Sequence, residues 1–284
     1  LIAVGSKEIT NILDEGGLTM EDDVTKQTVT IGLLGQSNIG KAALFNSLTG
    51  AKQHVSNWSD KTGELKNGLY QDEEYIYRLV DLPGTDSLTT NSDQALVAKE
   101  FIIFGKVRVI LVLIDVSQLK RSMYLLADYA GINIPTVAVF NMIDVAVPNG
   151  KQIDFKRIEA KLGIPVVVMA DTTEDFKRQL LMGLARAISN EGIINTRVIE
   201  QKYRKAFSIT FDMLLNNLPE GGIENVSAMW LVVKLLEGDA RIGQLVRDTV
   251  AVNQWRAIRA AVAQHQTGAN VTTGCKYEWI NEIV

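Results

Sequence analysis

The feature that most narrows the fold is a glycine-bearing loop set between two segments of different period. Residues 29–34 form an apolar, β-branched run and residues 41–48 carry helical spacing, with Gly35-Gln36-Ser37-Asn38-Ile39-Gly40-Lys41 between them. Strand, glycine loop and helix in that order open a crossover unit of a parallel sheet. Further apolar runs follow at 75–80, 107–116, 135–141 and 165–170, separated by helical patterns at 93–104, 120–130, 155–162 and 175–189. This alternation predicts an α/β domain over residues 28–191, its sheet mostly parallel and covered by helices on both faces. Ligands of such sheets bind at the carboxyl ends of the strands, where the loops gather.

Beyond residue 192 the strand texture stops. Ala206, Phe207, Thr210, Phe211, Leu214, Leu215 and Leu218 recur at helical spacing, and residues 229–236 are apolar nearly all round. Pro219, Gly221 and Gly222 separate these two helices and Gly238 ends the second. Residues 239–264 read as one longer helix and 277–284 as a short last one. The expectation is a small all-α domain over 192–284, with residues 1–27 an N-terminal extension to which no function is assigned.

Composition sets bounds on function. The chain has 284 residues, 46% hydrophobic and 22% charged, enough apolar material for a substantial core. A net charge of -4 argues against a dedicated nucleic-acid binder. The single cysteine, Cys275, precludes an intrachain disulfide, and with only His54 and His265 beside it a dense zinc cluster is ruled out. The most apolar run, 107–116, is bounded by Lys106 and Ser117 and is too short to span a bilayer. The first residues lack a signal-peptide pattern, and the sparse cysteine usage leads to the expectation of a reducing, cytoplasmic setting.

Three motifs carry the chemistry. In the first, glycines let successive backbone N–H groups and a helix N-terminus face phosphate oxygens, and Lys41 adds a point charge. The residue after Lys41 is ordinarily Ser or Thr, whose hydroxyl ligates Mg2+. Here it is Ala42, followed by Ala43, and no oxygen is offered. The second motif is Asp81-Leu82-Pro83-Gly84 at the end of an apolar run. An aspartate there can hold a magnesium-bound water, and the glycine N–H can sense a γ-phosphate. The third is Asn141-Met142-Ile143-Asp144. Its Asp144 pairs with the ring N–H and exocyclic amine of guanine, a donor pair adenine lacks, while Asn141 ties this loop to the phosphate loop and Met142 covers the base.

Between the first two motifs runs a polar stretch containing Trp58, Asp60, Lys61, Thr62, Gly63 and Glu64. Thr62 is the candidate hydroxyl for Mg2+ in the triphosphate state, and Trp58 reads equally as a surface anchor or a functional residue. Ala170 and Asp171 fall where a last base-contacting loop belongs. No glutamine follows Gly84 to orient water, since Thr85 and Asp86 stand there, so intrinsic hydrolysis is expected to be slow.

Taken together, these residues resemble the cytoplasmic GTPase domain of the bacterial ferrous iron transport protein B family. The matching pieces are the phosphate loop followed by Leu44-Phe45-Asn46, then Asn57-Trp58 with Thr62 and Glu64, Asp81 to Thr85 with Ser87-Leu88, and the Asn141 tetrapeptide. The similarity continues through Trp230-Leu231, Lys234-Leu235-Leu236-Glu237-Gly238-Asp239 and Tyr277-Glu278-Trp279-Ile280. The resemblance implies a P-loop GTPase fold binding GTP or GDP with Mg2+, and potassium-stimulated hydrolysis involving Asn38. It also implies a helical domain that tunes nucleotide release, ahead of a membrane permease for Fe(II) in the same polypeptide. The sequence leaves self-association open. Departures from the family pattern are Ala42 for Thr or Ser, Ser56, Ser59 and Asp60 in a Gly-x-x-Pro-Gly frame, and Asp86 for Tyr. The alternative to a working GTPase is a nucleotide-binding switch with little hydrolysis. A ribosome-associated GTPase of the same superfamily is disfavoured by the acidic charge.

Overall fold

The computed structural model describes residues 26–50, 65–89, 92–142, 153–189 and 192–284. Its centre is a six-stranded sheet in the order β2-β3-β1-β4-β5-β6. The strands are β1 (Gln27–Leu34), β2 (Lys66–Gln71), β3 (Tyr75–Asp81), β4 (Val109–Asp115), β5 (Thr136–Asn141) and β6 (Val166–Val168). All neighbours run parallel except the edge strand β2, which pairs antiparallel with β3.

Strand composition follows from burial on both faces. In β4, Val109, Leu111 and Leu113 point into one core with Ile31, Leu33, Val137 and Val139, whereas Ile110, Val112 and Ile114 point into the other with Leu34, Ala138 and Phe140. A strand covered on both sides reads as an unbroken apolar run rather than an alternating one. On the first face lie α1 (Lys41–Thr49) and α5 (Glu174–Ser189), through Leu44, Phe45, Leu180 and Leu184. On the second lie α2 (Asp93–Phe104), α3 (Leu119–Tyr129) and α4 (Phe155–Leu162).

The helical region comprises α6 (Arg197–Phe207), α7 (Ile209–Leu215), α8 (Ala228–Leu236), α9 (Ala240–Thr249), α10 (Val252–Val262) and α11 (Gly268–Ile283). It extends the second core without a break, since Trp230, Leu231, Val232 and Trp279 belong to the same cluster as Ile110 and Phe140. Helix α11 packs against both α3 and α6. The segment after α3 is also bound by backbone to the stretch leading into α8, with Asn133 N–H donating to Asn225 O at 2.7 Å and Ser227 N–H to Gly131 O at 2.9 Å.

Several expected elements are corrected. Residues 239–264 are two helices: Asp239 caps α9, and at Ala251 (φ -65, ψ 153) the chain extends, its N–H taken by the Gln254 side chain at 3.0 Å. The last helix begins at Gly268 rather than Tyr277, despite a glycine- and threonine-rich start of weak helix propensity. Gly268 lies where a Cβ would come within 2.1 Å of Leu236 O, so close packing on α8 selects glycine there. The pattern around Ala206 to Leu218 is broken at Ser208 (φ 50), and α6 starts upstream at Arg197. Strand β2 was not expected, and β6 ends at Val168, before Met169 and Ala170. The N-terminal extension lies outside the described residues up to residue 25.

Candidate functional site

The carboxyl ends of β1, β3 and β5 meet at one edge of the sheet, because neighbouring parallel strands align Leu33 with Asp81, and Asp115 with Asn141 one strand further. From β1 the chain passes Gly35 and buried Gln36, then turns through exposed Ser37 and Asn38 to buried Ile39. Asn38 sits at φ 61 and Gly40 at φ 98, so the loop closes on two left-handed residues before Lys41 begins α1. Glycine is required at 40, where a Cβ would stand 2.4 Å from Asn141 Nδ2. That amide donates to Ile39 O at 2.9 Å, which is the tie between the first and third motifs. Met142 follows at φ 62.

The second motif lies directly on the loop. Leu82 N–H donates to Leu33 O at 3.1 Å and Thr85 N–H to Gly35 O at 3.2 Å, continuing the β1–β3 pairing past the strand ends. A Cβ on Gly84 would lie 2.6 Å from Ser37 Oγ and 2.9 Å from Ser37 N, so Gly84 is the residue that permits this approach. Pro83 and Leu82 are buried beneath it. Lys41 Nζ reaches back to Gln36 O at 3.2 Å and Gly35 O at 3.4 Å. Burial depresses the Lys41 ammonium below the ordinary lysine range, with the Asp81 charge opposing. Burial likewise raises the Asp81 carboxyl, with Lys41 and Lys66 opposing.

Among the described residues, Asp81 Oδ1 is the buried side-chain oxygen or nitrogen without a hydrogen-bond partner. An open, buried carboxylate oxygen at a strand end fits a hydrated cation, and Mg2+ keeps several waters when bound this way. Asp81 therefore fits Mg2+ held through water. Ala42 and Ala43, in the first turn of α1, supply no oxygen. Asp60, Lys61, Thr62, Gly63, Glu64, Ile143 and Asp144, among them the candidate base-reading carboxylate and the candidate magnesium hydroxyl, lie outside the described residues. Ala170 and Asp171 are exposed just after β6, with Asp171 Oδ1 accepting from Thr173 Oγ1 at 2.8 Å ahead of α5. Beside them Met169 is buried, 3.5 Å from where a Gly40 Cβ would be.

Sequence reasoning missed two features. Gln36, expected only to lend backbone to the loop, is clamped by its side chain: Nε2 donates to Asp86 Oδ1 at 2.6 Å and Oε1 accepts from Ser122 Oγ at 2.8 Å. The Asp86 that departs from the family's tyrosine is thus engaged with the phosphate loop. The second is a buried group of charges at Asp128, Lys234, Glu237 and Lys276, formed between the sheet's helices and the helical region. A lone aspartate in an amphipathic helix gives no sign of such pairing.

Comparison with known proteins agrees with this geometry. The family model for Ferrous iron transport protein B matches residues 29–183. The Fe(2+) transporter FeoB of Shigella flexneri is 34% identical over 215 residues, covering 74% of this chain and 27% of the relative; that of Escherichia coli strain K12 gives the same figures. The chain thus spans 27% of the length of these relatives. Among solved structures, NFeoB from S. thermophilus bound to GDP.AlF4- and K+ is 26% identical with a TM-score of 0.74, covering 90% of this chain and 98% of that one. The mGMPPNP-bound form of the same protein aligns with a TM-score of 0.70 at 25% identity, covering 90% of this chain and 96% of its own. Motif order, sheet topology and these likenesses agree: the chain belongs to the ferrous iron transport protein B family and comprises its N-terminal P-loop GTPase domain with the helical region behind it.

Proposed function

We propose that this chain binds guanine nucleotide at the Gly35–Lys41 loop and cycles between GTP and GDP, hydrolysing GTP slowly, to regulate Fe(II) passage through a membrane permease part of a longer polypeptide. One observation carries the reading: Lys41 and Asp81 share a half-buried corner at the strand ends, each strained by burial in the direction its own counter-ion relieves. A polyphosphate restores the Lys41 charge and a hydrated Mg2+ satisfies the open Asp81 oxygen, so Mg-nucleotide supplies both. Mg2+, when bound, neutralises charge building on the phosphoryl oxygens. K+ at Asn38 and base reading by Asn141 and Asp144 complete the set, with Thr62 as the candidate Mg2+ hydroxyl. The domain division at 28–191 and 192–284 is part of the same proposal, the helical domain acting on nucleotide release.

Titration calorimetry with GDP and ADP tests the binding half. GDP should bind and ADP should bind at least about 10^4-fold more weakly, since an adenine leaves the carboxylate of Asp144 unpaired. Equal affinity would refute the base assignment. The second reading, a switch with little hydrolysis, is favoured by Ala42, whose methyl offers Mg2+ nothing. Phosphate release with Mg2+, with and without K+, separates the two; no release above background leaves the switch.

A further inference from the structure

Gln36 is a polar side chain buried within the phosphate loop, on a stretch whose work is done by backbone. A buried amide is costly unless both of its ends are paired. Here both are: Nε2 donates to Asp86 Oδ1 at 2.6 Å and Oε1 accepts from Ser122 Oγ at 2.8 Å. Ser122 is buried in the first turns of α3, so that partner is fixed in the helix layer covering the sheet. Asp86 is different: its side chain is 61% exposed, and it belongs to the segment that carries Gly84. Its ion pair with Arg121, at 3.5 Å and on a side chain 63% exposed, is screened by water and holds little. What Asp86 holds is the Gln36 amide.

The same segment is fastened one residue earlier. Thr85 N–H donates to Gly35 O at 3.2 Å, and Thr85 Oγ1 donates to Ser87 O at 2.7 Å, which stiffens residues 85–87. Backbone from Thr85 and side chain from Asp86 therefore grip Gly35 and Gln36, the base of the phosphate loop, and leave its tip at Ser37 to Gly40 alone. A grip at the base fixes where Gly84 stands without closing the mouth of the loop: a Cβ on Gly84 would lie 2.9 Å from Ser37 N. The Gly84 N–H is the donor that a third phosphate would meet and that a diphosphate does not reach. A donor already in place binds its ligand without the cost of ordering its own segment.

We propose that Asp86 is a positioning residue for the third phosphate: through the Gln36 amide it holds the Gly84 N–H at the phosphate loop and so favours triphosphate over diphosphate. The inference rests on the guanine-nucleotide reading above and deepens it. Releasing Asp86 frees the Gly84 segment, and the triphosphate loses affinity while the diphosphate keeps its own.

The test compares the affinity of a non-hydrolysable GTP analogue with that of GDP, by titration calorimetry with Mg2+, in the unmodified chain, Asp86→Asn, Asp86→Ala, Gln36→Met and the double variant Asp86→Ala with Gln36→Met. Asparagine and alanine remove the same charge from beside the phosphates, but asparagine keeps an acceptor oxygen for Gln36 Nε2. Comparing the two therefore isolates the bond. The preference for the triphosphate should be about fivefold or more lower with alanine than with asparagine, the scale on which ordering a side chain acts, while GDP affinity stays within about twofold. Gln36→Met should lower the preference as well, and the double variant should fall no further than the more affected single one. Asp86 is exposed, so its variants leave the fold intact. Equal preferences in the two Asp86 variants, additive losses, or GDP weakened in step with the triphosphate would overturn the proposal, the last marking the clamp as a support of the loop alone. Absence of any GDP binding by the unmodified chain would instead sink the nucleotide reading itself.

Discussion

Replacing Gly40 with alanine tests the geometry of the loop more directly than any change of charge. Two costs are added at once. At φ 98 a residue with a Cβ is strained, by about 1–2 kcal/mol. The new methyl would also stand 2.4 Å from Asn141 Nδ2, which cannot retreat without surrendering its 2.9 Å bond to Ile39 O, a further loss of about 1 kcal/mol. The sum is about 2–3 kcal/mol, or about 3–5 °C in Tm for a cooperative unit of this size. Because the second core runs unbroken into the helical region, one cooperative unfolding curve is expected. Asn141→Ala removes the obstructing amide and by itself costs about 1 kcal/mol, the bond to Ile39 O. In that background Gly40→Ala should cost only the backbone strain, so the double-mutant cycle should show about 1 kcal/mol of coupling. Penalties that simply add would show that Asn141 does not lie over Gly40. A Gly40→Ala penalty below about 0.5 kcal/mol would refute the left-handed cap as well.

Three further outcomes follow from named contacts. Ala42→Thr should raise Mg2+-dependent phosphate release by about tenfold or more while GDP affinity moves far less; an unchanged rate would place the defect in the segment around Ser56, Ser59 and Asp60. Lys99→Met strands the buried Asp239 carboxylate and should cost about 3–5 kcal/mol in thermal unfolding, whereas adding Asp239→Asn, which still caps α9 at Ile242 N–H, should recover much of it; no recovery would deny the pairing. The low-lying Asp128 and Glu237 carboxyls contribute stability in full above the ordinary carboxylate range, and it is lost as pH falls below about 4. Lys276, held high, contributes in full up to about pH 10 and loses it above. The Tm difference between the unmodified chain and Glu237→Gln should thus narrow as pH drops below about 4; a constant difference would refute the charge assignment.

Much of the sheet was legible because its strands are buried on both faces. Runs such as 109–115 leave little choice but a covered parallel strand, and the helices between them carry strong caps, with Ser92 for α2 and Asp154 for α4. Strand β2 was hidden because an edge strand needs no apolar run: Asn67 and Gln71 are exposed, and its close packing on α1 needs Gly68, where a Cβ would strike Phe45 at 2.7 Å. In the helical region, composition misled at the joints. The break at Ala251 depends on one Gln254 side-chain bond, and the start of α11 on close approach to Leu236, neither of which has a period. The strand, loop and helix around residues 35–41 and the strand ending at Asp81 were readable from spacing alone. The Gln36 clamp and the Asp128 group were not, because each joins residues far apart in sequence through single polar atoms.

Within the proposed cycle, holding nucleotide and turning it over depend on different atoms. The hold comes from backbone donors around Ser37 to Lys41, from the Lys41 charge and from the Asn141 tether, and none of these requires a hydroxyl at position 42. Turnover depends on neutralising charge that appears only as the phosphoryl group departs, and there the missing oxygen acts on the metal that supplies it. A substitution at 42 should therefore change the rate of phosphate release with little effect on nucleotide affinity, and Asn141→Ala, which cuts the tether to Ile39 O, should change affinity first. Were both variants to move the same quantity in proportion, the two dependences would be one, and Ala42 would act through the hold on the nucleotide rather than through the metal.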